Sequence, residues 1–202
     1  MQTVGFWLLG LVFGLISTGC GDPVATCPNG YVSNPERVFR MSQVLEHVPE
    51  YTSAVKKLGH APLFCFGKST HAGVLKSGTL LLPATQDISR SAARAAHLTV
   101  HLTDGLTQLV DSPGDCQTTV HQALEKEAQA LLVELRILDE TKAPPAADAA
   151  LELEQVYHNA PVDRRETVVR RYLAEHPQGA PGLDGLVAGY TKRCRAASVS
   201  TE

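Results

Sequence analysis

Residues 91–105, SAARAAHLTVHLTDG, place His97 and His101 four positions apart. On a helix that spacing stacks two imidazoles one turn apart on one face, where neutral ring nitrogens can share a zinc ion. A zinc with an open coordination position lowers the pKa of a bound water, and a general base must then take the proton as the water attacks. The residues beside His97 are Leu98, which has no proton chemistry, and Thr99, which is too weak a base. The chain has eight histidines, so the spacing alone is a weak signal. A solvated polar face accounts for His97, His101 and Asp104 as well as a metal site does.

At 100° per residue, a helix over residues 92–109 carries two contrasting stripes. Ala95, Leu98, Leu102, Leu106 and Leu109 form an apolar one, which anchors the helix. Arg94, His97, His101, Asp104 and Gln108 form a polar one, expected to face solvent. Asp87 or Ser89 caps this helix, and Gly105 interrupts or ends it. Before it, residues 36–58 have helical spacing interrupted by Pro49. The runs APLFCFG (61–67) and GVLKSGTLLLP (73–83) then read as two strands paired in an irregular hairpin. After it, DSPGD turns into a long helix over 116–140, rich in strong helix formers. KAPPAADAA (142–150) is a loop or the run-in to a short helix at 151–160. A further helix starts at Pro161 and stops before Pro177, and a last one runs toward Cys194. The fold class is therefore α+β, a mostly helical domain with a small hairpin or sheet preceding the histidine helix.

From Cys65 through Glu134, about a third of the chain, this order resembles the zincin metallopeptidase-like domains. There a strand pair precedes an AAxLAHExxH helix, and a later helix supplies an acidic third ligand. LFCFG and GVLKSGTLLLP match the strands, SAARAAHLTVHLTDG the histidine helix and LEKEAQALLVE the later one. The resemblance implies His97 and His101 as metal ligands with Glu127 as the third, Glu125 and Asp104 being rivals for that place. It also implies a scaffold without its base, because Leu98 stands where the family carries its catalytic glutamate. The expectation is a pseudoenzyme with no catalytic residues and no resident cofactor, zinc being the one ion the donor set suits. The alternative is an active zinc-dependent metallohydrolase with an unconventional general base.

Residues 1–19 hold no charged side chain and read as a secretory signal peptide. The following STGC is similar to the lipobox of bacterial lipoproteins, with Ser17 in the usual leucine place and Ile16 one position earlier. That resemblance implies acylation of Cys20 by fatty chains such as palmitate. The turn-rich residues that follow make 20–35 a tether, and the remaining length makes 36–202 a single domain. Gly21 after the cysteine is similar to outer-membrane-directed lipoproteins, so the expected location is the cell envelope, facing periplasm or cell surface. Four cysteines remain, Cys27, Cys65, Cys116 and Cys194, an even number in an exported chain. Of three connectivities, Cys27–Cys65 and Cys116–Cys194 are expected, because the others must bridge the two halves. With 18 basic and 21 acidic residues the net charge is −3, which gives no electrostatic reason to expect nucleic acid.

No G-x-S-x-G, P-loop or G-x-G-x-x-G occurs. Asp163, Arg164, Arg165, Glu166, Arg170 and Arg171 make a charged helix face, a solvated surface or a contact for an acidic partner or lipid headgroups. The expected role is a lipid-anchored binding or assembly module for an envelope protein partner whose identity the sequence does not carry.

Overall fold

Asn34 starts the first helix by accepting a hydrogen bond from the Arg37 backbone N–H at 3.0 Å, with Pro35 in the first turn. This is α1 (Pro35–Leu45), and Pro49 opens α2 (Pro49–Leu58) as the interruption requires. The computed structural model describes residues 26–75, 77–145, 150–176 and 185–199. The residues read as a signal peptide, 1–19, and Cys20 lie outside the described residues. Part of the segment read as a tether joins the fold, since Tyr31–Val32 form a strand, β1, and Cys27 is bonded to Cys65.

The two apolar runs do form sheet, but not as one hairpin. They give β2 (Phe64–Gly67), β3 (Gly73–Val74) and β4 (Leu80–Pro83), in the order β1-β2-β4-β3. β2 and β4 are parallel, Phe64 opposite Leu80 and Gly67 opposite Pro83. The cause is a reversal inside GVLKSGTLLLP, where Gly78 adopts φ 81 and the Leu75 N–H bonds the Thr79 carbonyl at 2.9 Å. That turn makes β3 and β4 the antiparallel pair and sends β4 back in the direction of β2. All four residues of β2 are buried, as expected of a strand covered on both faces.

The histidine helix is α3 (Ile88–His101), capped by Asp87, whose side chain accepts from the N–H groups of Ser89 and Arg90. α4 (Leu106–Val110) and α5 (Cys116–Glu140) follow, the latter capped by Asp115. α6 (Ala150–Asn159), α7 (Arg165–Glu175) and α8 (Leu186–Val199) follow, and α8 runs on past Cys194.

α3 is the central element, packed against α1, α2 and β4 on one side and α5 on the other. Ala92, Ala93, Ala95 and Ala96 are fully buried, and their small side chains let the neighbours approach closely. They join Met41, Leu45, Phe64, Phe66, Leu80, Leu82 and Ile137 in the main core. A second core lies between α5, α6 and α7 around Leu131, Tyr157 and Val169, and a third joins α4, α5 and α8 through Val110, Ala123 and Tyr190.

Both expected disulfides are present, Cys27–Cys65 and Cys116–Cys194. Among the described residues no helix is long and apolar enough to cross a membrane. The charged face of 163–171 is partly used internally: Arg165 pairs with Asp139 at 3.0 Å, and Arg170 pairs with Glu166 and with Glu125.

Candidate metal centre

The polar stripe of α3 faces α5, not solvent, which corrects the expectation of a solvated histidine face. His97 is 3% and His101 9% exposed, whereas Leu98 and Leu102 of the apolar stripe are only partly buried against the main core. The reason is the central position of α3: a helix covered on opposite sides must bury its polar stripe along with its apolar one. That burial costs free energy unless every polar atom finds a partner.

The partners come chiefly from α5. His97 Nε2 and His101 Nε2 are 3.1 Å apart, and each lies 3.3 Å from Glu127 Oε2. Glu127 is itself 5% exposed. Zinc bonds to nitrogen and oxygen at about 2.0–2.1 Å, so two of its tetrahedral ligands lie about 3.3 Å apart. The three atoms thus have the separations of three corners of a zinc tetrahedron. They are the one group among the described residues whose side chains could hold a metal ion in this way.

The far nitrogen of each ring meets a different carboxylate. His101 Nδ1 is 2.8 Å from Asp104 Oδ2, and His97 Nδ1 is 2.9 Å from Glu134 Oε2. The second contact is short but badly aligned, so both of its buried atoms lack a hydrogen bond. Carboxylates opposite Nδ1 favour the tautomer with the proton there, leaving the Nε2 lone pair for a metal. Two Nε2 lone pairs and a carboxylate oxygen then converge on one point. Three acceptors repel one another unless a proton or a cation stands between them.

Gly105, at φ 80, reverses the chain after α3, and Asp104 then caps α4 through the Leu106 N–H at 2.8 Å. The same turn brings Asp104 back over His101. Lys126 Nζ donates to the Asp104 carbonyl oxygen, and Arg94 Nη2 meets Glu134 Oε1 at 3.0 Å. Asp104, Glu127 and Glu134 against Arg94 and Lys126 leave one net negative charge when both histidines are neutral. A buried cluster of that sign favours a cation.

The titration behaviour has the same origin. Burial alone would lower the His101 pKa, but Asp104 and Glu127 outweigh it and push it up to about 9. Without a metal, this proton stands where the cation would. Burial opposes ionisation of Glu127, yet His101 and His97 hold its carboxyl well below the ordinary 4.5. Glu134 is held below the same value against its burial, chiefly by Arg94 and His97. Tyr190 on α8 donates its hydroxyl to Glu127 Oε1. Burial, then the Glu127 charge, raises its pKa far above the ordinary 10, so it remains a donor.

Of the sequence candidates, Glu127 occupies the third corner. Asp104 supports His101 from behind, and Glu125 turns to Arg170, away from the histidines. His60, His71 and His121 are exposed and apart from the group. Sequence reasoning missed Glu134 and Tyr190. Glu134 carried a signal, being seven residues from Glu127 and so on the same face of α5; Tyr190 carried none. Comparison with protein-family models, with curated proteins and with solved structures finds no match to this chain.

Proposed function

We propose that the protein is a lipid-anchored envelope protein whose domain holds a zinc ion on His97, His101 and Glu127 without hydrolysing peptides. The observation that carries the metal reading is the convergence of three ligand atoms at 3.1–3.3 Å, each histidine backed by its own carboxylate. Zinc suits two imidazoles and a carboxylate in a tetrahedral arrangement. When bound, the ion supplies Lewis acidity and joins α3 to α5.

Hydrolysis needs a base on the ligand-atom side of the site, and the neighbouring carboxylates are elsewhere. Glu134 and Asp104 lie behind the imidazoles, against Nδ1. Leu98 packs on the core, and Tyr190 keeps its proton. These placements favour a binding or assembly module over a metallohydrolase. Two disulfides fit a chain that matures in an oxidising, extracytoplasmic compartment, which accords with export and acylation at Cys20.

Elemental analysis of the purified protein should give one zinc per chain, lost in His97→Ala and in Glu127→Ala. Protein that stays free of zinc after incubation with excess zinc would refute the metal reading. Zinc-dependent cleavage of a peptide library, abolished by His97→Ala, would instead establish the hydrolase. Mass spectrometry of protein from the membrane fraction tests the anchor: a diacylated or triacylated Cys20 at the amino terminus supports it, an unmodified cysteine refutes it.

A further inference from the structure

The metal-facing triangle is supported from outside α3 and α5. Tyr190 is 7% exposed, lies in the α4–α5–α8 core with Val110 and Ala123, and donates its hydroxyl to Glu127 Oε1. The other oxygen, Oε2, is the one 3.3 Å from both histidine nitrogens. Glu127 is therefore divided: one oxygen faces the histidines and the other is engaged by the phenol. Four residues further along α8, fully buried Cys194 is bonded to Cys116 at the first position of α5. Arg193 adds a two-pronged contact to Asp111 at 2.8 and 2.9 Å, just after α4. The disulfide and this ion pair, both within one helical turn beyond Tyr190, set the position of its helix.

Resting on the zinc reading above, we infer that Tyr190 is a positioning residue of the metal centre, making Glu127 a one-oxygen ligand and thereby keeping a fourth coordination position free. A carboxylate with both oxygens available can chelate, which raises the coordination number and fills that position. The phenol prevents this by occupying Oε1. The α5–α8 disulfide keeps it there, so the centre reaches full affinity only once Cys116–Cys194 has formed.

The test uses the full chain loaded with zinc or with cobalt(II). Tyr190→Phe should weaken zinc 10- to 100-fold in competition with a chromogenic chelator, the usual range for losing a group that orients a ligand. Its cobalt derivative should show weaker visible absorption than the parent, because coordination above four reduces the intensity of these bands. Cys116→Ser with Cys194→Ser should weaken zinc in the same direction. Equal affinity and an unchanged cobalt spectrum in Tyr190→Phe would overturn the inference while leaving the zinc reading intact. Zinc absent from the parent protein would instead overturn the zinc reading itself. X-ray absorption of the zinc-loaded parent needs no variant: a one-oxygen Glu127 is expected, and a chelating Glu127 would also overturn the inference.

Discussion

His97 uses both nitrogens, one toward Glu127 and His101 and the other toward Glu134, and all four side chains are buried. A surface histidine pair could be removed at no cost, and this one cannot. Replacing both histidines with alanine leaves Glu127 buried with Tyr190 as its remaining partner. Removing one side of a buried charge pair costs about 3–5 kcal/mol. The double variant should therefore lose about 3 kcal/mol or more in chemical denaturation measured without metal, and a loss under about 0.5 kcal/mol would contradict the burial argument. The histidine pair was legible in the i, i+4 spacing, because one turn of helix is a local property. Its burial was not, because both sides of α3 are covered by elements distant in sequence. An amphipathic pattern predicts which face is greasier, not whether the other face meets water.

Asp87 decides where the central helix begins, since two backbone N–H groups of its first turn have only the Asp87 carboxylate to receive them. Asp87→Ala should cost about 1 kcal/mol in thermal or urea unfolding, the typical loss of an N-cap. Helix α5 is held to α2 by Arg136, whose guanidinium donates to both oxygens of Glu50. That hydrogen bonding holds the Glu50 carboxyl below the ordinary 4.5 against a smaller opposing effect of burial. A lowered carboxylate pKa contributes stability above the unfolded value and loses it as pH falls through the folded one. Glu50→Gln should thus lower stability at pH 7 by under about 1 kcal/mol, because the pair is largely solvated. The difference from the parent should vanish in acid, below the lowered Glu50 pKa; a difference constant with pH would refute this pairing. The helices were readable because caps, prolines and the 3.6-residue period are local signals. The sheet was read only in part: Gly78 turns the chain within a run that reads as one strand, and parallel pairing of β2 with β4 is a non-local choice.

At the scale of the molecule, two disulfides and the candidate metal centre tie together segments far apart in sequence. Cys27–Cys65 fixes the amino-terminal segment to the sheet, and Cys116–Cys194 fixes α8 to α5. Zinc bound to the native state alone should stabilise it by RT ln(1 + [Zn]/Kd), about 4 kcal/mol at a thousandfold excess over Kd. Differential scanning calorimetry should show a Tm that rises with zinc and falls back with a chelator, and a zinc-independent Tm would contradict the centre. By itself the sequence determined the helix register, the pairing of His97 with His101, the acidic candidates on the later helix and the even set of four cysteines. Each follows from composition or from spacing within one element. Tertiary structure decided which carboxylate meets the histidines, assigning Glu127 the side of the two Nε2 atoms, Asp104 and Glu134 the rear, and Glu125 a partner on α7. It also brought Tyr190 to Glu127 across 63 residues of chain. The physical reason is that hydrogen bonding and ion pairing act over a few ångströms, and only packing sets which distant side chains come within that range.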